Sequence, residues 1–124
     1  EISSEIWLFE IDSRVLVEYR PSATGVLPLA RFPSSARDLS LLVPMDVLAG
    51  EIIRAAGELD EPLLNGVSVF DDYRGKGVKE GYKALAFSFE YRSPDRTLTE
   101  EEVAALHSSV VEMLLAMPGV ELRA

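Results

Sequence analysis

From Ala36 to Val43 apolar and polar residues alternate, with Leu39, Leu41 and Val43 on one side and Asp38 and Ser40 on the other. A period of two predicts a strand with one buried face. Pro44 stops it, Asp46 is placed to cap a helix, and Leu48, Ile52, Ile53 and Ala56 recur at helical spacing until Gly57 ends the run. Strand period returns in Leu63 to Tyr73, through Val67 and Val69 after the Asn65-Gly66 pair. It returns again in Tyr82 to Arg92, where Leu85, Phe87, Phe89 and Tyr91 alternate with Ala84, Ala86, Ser88 and Glu90. Between these two strands the run Gly75-Lys76-Gly77-Val78-Lys79-Glu80-Gly81 has the composition of a loop. Pro94 and Asp95 turn the chain. Thr99 with Glu102 three residues later predicts a capping box ahead of Val103, Leu106, Val110, Met113, Leu114 and Met117. Pro118-Gly119 ends that helix and leaves Val120 to Arg123 as a short last strand.

The order after residue 31 is therefore βαββαβ, which predicts an α+β, ferredoxin-like fold: a four-stranded antiparallel sheet with both helices on one face. Leu39, Leu41, Phe87 and Phe89 then face the helices, so Ser40, Ala84, Ala86 and Ser88 must line the uncovered side, where small side chains permit close approach by another molecule. Ahead of this unit, Glu5 to Asp12 reads as a strand and Ser13 to Glu18 as one or two helical turns. Pro21, Gly25, Pro28 and Pro33 mark a connector, which puts a boundary near Arg31 and divides the chain into 1–30 and 31–124. The chain opens Glu1-Ile2-Ser3-Ser4, with neither Met nor a basic, apolar leader, and reads as a piece of a longer polypeptide.

Composition narrows the chemistry. The chain has 124 residues, 48% of them hydrophobic and 27% charged, which suits one globular domain with a modest appendage. No apolar run approaches the ~20 residues of a bilayer-crossing helix, so no membrane partner is expected. With no cysteine, thiolate metal sites and thiol nucleophiles are excluded, and with a single histidine, His107, no two-histidine metal face exists. His107 follows Val103 by one helical turn and is read as a packed imidazole. Glu100, Glu101 and Glu102 splay by about 100° per residue around a helix and cannot converge on one ion; their place is at the positive end of the helix. The glycines 75, 77 and 81 have neither the spacing nor the following helix of a dinucleotide fingerprint, and Lys76 lacks the GKS or GKT context of a phosphate loop. No catalytic constellation is expected.

The net charge of −9 argues against phosphate binding only until its distribution is examined. Residues 70–96 hold 6 of the 12 lysines and arginines. Within them, Phe70-Asp71-Asp72-Tyr73-Arg74 concentrates carboxylates, aromatic rings and a guanidinium at a strand end beside the glycine loop. That combination suits an unpaired RNA base: an aromatic ring stacks it, a carboxylate accepts the N–H donors of guanine's Watson–Crick edge, and cations hold phosphates. An RRM is disfavoured, because Lys83 follows Tyr82 where its signature needs Gly or Ala. A ferredoxin-like regulatory or assembly module without RNA binding stays open on fold alone.

Three stretches decide the comparison at family level. RFPSSARDLSLLV, VFDDYRGKGVKEGYKALAFSFEYRSPDRTLTEEEV and MPGVELR resemble the ferredoxin-fold anticodon-binding domain that ends the bacterial phenylalanyl-tRNA synthetase β subunit. Residues 1–30 resemble the tail of that subunit's preceding catalytic-like module and its connector. The resemblance implies a cytoplasmic α2β2 ligase that joins phenylalanine to its tRNA with ATP and magnesium, the active site lying in the α subunit. No cofactor is then expected in these residues themselves. It implies that Asp71 and Tyr73 hydrogen-bond and stack the first anticodon base, guanine for phenylalanine, with a bulge near Phe70 deciding whether Asp71 or Asp72 faces that base. Arg74, Lys76, Lys79 and Lys83 are then expected to steer phosphates of the anticodon stem and loop. Where the family commonly has a serine after the lysine, this chain has Ala84, leaving a backbone contact there. With a net negative field, the piece alone is expected to bind tRNA weakly and with strong salt dependence.

Overall fold

A computed structural model describes residues 6–19 and 29–123. Residues 6–12 form no strand, contrary to their β-branched and aromatic composition; no ladder partner for them exists among the described residues, and their side chains are exposed. A short helix, α1 (Ser13–Glu18), follows, with the Asp12 carboxylate accepting from the Arg14 backbone N–H at 2.9 Å. Glu5 of the expected strand and Pro21, Gly25 and Pro28 of the expected connector lie outside the described residues.

The remaining elements are β1 (Ser35–Pro44), α2 (Ala49–Glu58), β2 (Leu64–Tyr73), β3 (Tyr82–Tyr91), α3 (Glu100–Leu115) and β4 (Glu121–Leu122). They give the βαββαβ order, and the strands form one antiparallel sheet in the order β2-β3-β1-β4. This is the ferredoxin-like α+β arrangement, with β3 and β1 central.

One face of the sheet supplies the core. Leu41, Val43, Leu85, Phe87, Phe89 and Tyr91 are buried against Ile52 and Ala56 of α2 and Val103, Val110 and Leu114 of α3. Burying such a side chain contributes roughly 1.5–3 kcal/mol each, and this stripe is what fixes which face of every strand is left open. Within the core the Tyr91 hydroxyl lies 3.0 Å from His107 Nδ1, and Phe89 meets the imidazole edge-on at 5.4 Å. His107 is the packed imidazole its helical position suggests.

Caps follow the sequence at one helix and depart from it at the other. Thr99 Oγ1 accepts from the Glu102 N–H, and the Glu102 carboxylate accepts from the Thr99 N–H at 2.9 Å, closing the expected box on α3. In front of α2 the cap is Leu48 rather than Asp46, and its N–H is taken by the Glu51 carboxylate at 2.8 Å. Gly57 does not end α2, which continues to Glu58.

Candidate nucleic-acid interface

The uncovered face is defined by the residues that alternate with the core. Register pairs Leu42 with Ala84 and Ala84 with Tyr73; one step along, it pairs Ser40 with Ala86 and Ala86 with Asp71. Two rows therefore cross the sheet on this face. The first is closed on the far side by Glu121, opposite Leu42. The second is closed by Arg123, whose backbone N–H donates to Ser40 O at 3.0 Å. The floor between the ends is alanine, serine and leucine. At roughly 4.8 Å per strand, three strand spacings separate the backbone of Asp71 from that of Arg123 by about 14 Å.

Asp71 and Tyr73 reach this face through a bulge. Val69 pairs with Phe87 and Asp71 with Ala86, so Phe70 is an extra residue in β2. Bulges leave one residue unpaired and re-aim those beyond it. Phe70 itself stands 60% exposed at the sheet edge. Past the bulge Asp72 falls opposite Leu85, on the helix side, and is taken up by Arg74 in two hydrogen bonds of 2.9 and 2.7 Å. That guanidinium holds the Asp72 carboxyl below the usual carboxylate range. Asp71 has no side-chain partner among the described residues and is exposed. The two adjacent carboxylates thus have separate tasks, one bound internally and one facing outward.

Tyr73 is held at its phenol end. Its hydroxyl donates to Lys76 O at 3.2 Å, and Gly75 lies so close that a methyl group there would sit 2.4 Å from the hydroxyl oxygen and 2.5 Å from Cζ. Only glycine leaves room for the ring. Its face carries the Arg123 guanidinium, 5.2 Å from the ring centroid, a cation–π distance. Tyr73 as a residue nevertheless stays 37% exposed.

The four cations expected to steer phosphates are placed differently from one another. Lys76 is exposed in the loop. Arg74 is tied to Asp72, and Lys79 donates to Glu121 at 3.0 Å while lying 4.1 Å over the Tyr82 ring. The Glu121 hydrogen bond raises the Lys79 pKa. Exposed pairs of this kind are weak in water, where solvent screens both charges. Lys83 departs from expectation. It lies opposite Val43 on the helix side, is 4% exposed, and donates to Met45 O at 3.1 Å. An ammonium enclosed there does not reach a phosphate on the open face. Ala84 departs as well: it is 2% exposed in a strand paired on both sides. Its backbone groups belong to the ladder, so it offers a methyl floor rather than a hydrogen bond.

Two residues of this site escape a reading of the sequence, Gly75 and Arg123. The signal for Arg123 was its position at the end of the last strand, two residues from Glu121 and hence on the same face. Among the described residues no group of three His, Cys, Asp or Glu side chains is arranged to hold a metal, and no helix is long and apolar enough to cross a membrane.

Comparison with known proteins adds an independent line. Residues 30–123 match the model of the ferredoxin-fold anticodon binding domain. The chain is 41% identical over 119 residues to the phenylalanine–tRNA ligase beta subunit of Geobacillus kaustophilus, covering 96% of this chain and 15% of that protein. Identity to the beta subunit of Syntrophotalea carbinolica is 37% over 123 residues, covering 99% of this chain and 15% of that one. To that of Trichormus variabilis it is 34% over 127 residues, covering 99% and 16%. The chain spans about 15% of the length of these curated relatives.

Proposed function

The chain belongs to the ferredoxin-fold anticodon-binding domain family, and from that premise we propose that its uncovered sheet face binds the anticodon of phenylalanine tRNA as the last domain of a ligase β subunit. In this reading residues 31–124 form the binding domain and 1–30 the tail of the preceding module. The parent pairs with an α subunit as α2β2, works in the cytoplasm, and charges the tRNA with phenylalanine using ATP and magnesium. These residues contribute recognition and no bond-making step.

The observation that carries the reading is the juxtaposition of Asp71 and Tyr73 on one open face, above a floor of Ala84 and Ala86. The exposed part of the Tyr73 ring stacks the first anticodon base. The unspent Asp71 carboxylate accepts from guanine N1–H and the N2 amine, a pair of donors that adenine lacks on that edge. Lys76, with Arg74 and Lys79 after release of their surface partners, meets the flanking phosphates.

Replacing Tyr73 by Ala in the assembled ligase tests this. Loss of one base–aromatic stack is expected to weaken phenylalanine tRNA binding by about 1–3 kcal/mol. An unchanged dissociation constant would refute the assignment.

A further inference from the structure

Arg123 is exposed at the end of the row that begins with Asp71, and its guanidinium makes neither an ion pair nor a side-chain hydrogen bond among the described residues. Its one contact of note is with the Tyr73 ring. The two partners in that contact are unequally restrained. Tyr73 is fastened through its hydroxyl to the glycine loop and abutted by Gly75. Arg123 is anchored through its backbone, at Ser40 O, and no hydrogen bond or ion pair among the described residues holds its side chain. The guanidinium therefore covers a ring face that a stacking base needs.

We propose that Arg123 is the mobile jaw of a base clamp, covering the Tyr73 ring while the site is empty and moving out to lie over the far face of the nucleobase once that base has stacked on Tyr73. This rests on the anticodon-binding reading above and adds a second contact to it. The chemistry suits the task. A guanidinium is planar and weakly hydrated, and it stacks on aromatic faces as readily as it hydrogen-bonds. While parked on Tyr73 it keeps that face covered, and its charge adds a cation close to a nucleotide that brings phosphate with it. Tyr73 is then the fixed jaw and Arg123 the moving one. The base enters between them from the side of the row occupied by Ala86 and Ser40.

The test uses the assembled ligase with phenylalanine tRNA carrying 2-aminopurine at the first anticodon position, and with unmodified tRNA. Arg123→Ala is expected to weaken unmodified tRNA binding roughly 3- to 30-fold, the span from an exposed to a desolvated cation–π contact. Arg123→Lys, which keeps the charge and loses the plane, is expected to recover little of that loss. In Arg123→Ala the bound 2-aminopurine should become more accessible to acrylamide, because one of its faces is uncovered. Wild-type affinity in Arg123→Ala, full recovery in Arg123→Lys, or equal quenching in wild type and Arg123→Ala would each overturn the clamp. Tyr73→Ala, measured in parallel, separates the two levels. If it weakens binding while the Arg123 variants do not, only the clamp fails; if it leaves binding unchanged, the anticodon reading fails with it.

Discussion

Asp71 and Tyr73 face the same side of the sheet, opposite Ala86 and Ala84, because Phe70 is accommodated as a bulge rather than as a rung of the ladder. Had Phe70 paired with Ala86, Asp71 and Tyr73 would have fallen opposite Leu85 and Lys83, on the side covered by helices. A one-residue offset exchanges the faces of everything beyond it. Here that offset decides whether Asp71 and Tyr73 stand on the open face or on the side covered by helices.

Deleting Phe70 should consequently leave Asp71 and Tyr73 on the open face, since Val69 and Asp71 already pair with adjacent residues of β3. Deleting Asp72 instead moves Tyr73 to the position opposite Leu85. Measured by tRNA binding to the assembled ligase, the first deletion is expected to retain affinity and the second to abolish it. Equal losses in both would show that the bulge does not set the faces.

The βαββαβ order, the four strands and the capping box on α3 were legible in the sequence because alternation and capping are local signals. The faces of Asp71 and Tyr73 were not, since a bulge depends on which residue of a partner strand is met. The enclosure of Lys83 was legible in part. Its neighbours in sequence suggest a loop-proximal cation, whereas its alternation with Ala84 places it among the core-facing residues, where Met45 O satisfies the ammonium. Leu48 displaced Asp46 as the cap of α2 because Glu51 reaches back to the Leu48 N–H, a reciprocal bond that does not require a polar cap residue.

Gly75 has a steric duty that its loop composition conceals. Substituting Ala would place a methyl group against the phenol end of Tyr73 and should push the ring out of its place over Ala84. Gly75→Ala is expected to weaken tRNA binding by up to the value of the stack, about 1–3 kcal/mol, with little change in thermal stability. Unaltered binding would mean that the ring position is immaterial.

At low pH the α3 cap should fail in a defined window. Hydrogen bonding from Arg96, then from the Thr99 N–H, holds the Glu102 carboxyl down at about 2, against an ordinary 4.5. A folded-state value below the unfolded one gives stability that is complete above 4.5 and is lost as pH falls through about 2. Glu102→Gln should flatten this part of the acid limb in a pH series of thermal melts. An identical acid limb in the variant would contradict the assignment.

His107 opens an earlier window. Burial, aided by the Arg37 charge, lowers its pKa below the ordinary 6.5, so its contribution is full above 6.5 and declines as pH falls through the lowered value. His107→Gln should remove the stability loss that wild type shows between neutral pH and the onset of the Glu102 window. The check is the difference between the two melting curves across that range, and parallel curves would count against it.

Equilibrium binding of the assembled ligase to phenylalanine tRNA with guanine or inosine at the first anticodon position is the most direct measurement of whether Asp71 reads the base. Inosine lacks only the N2 amine. Wild-type protein should bind the guanine tRNA more tightly, and Asp71→Ala should bind both alike, because the carboxylate that distinguishes them is gone. Discrimination of undiminished size in Asp71→Ala would show that some other group reads the base.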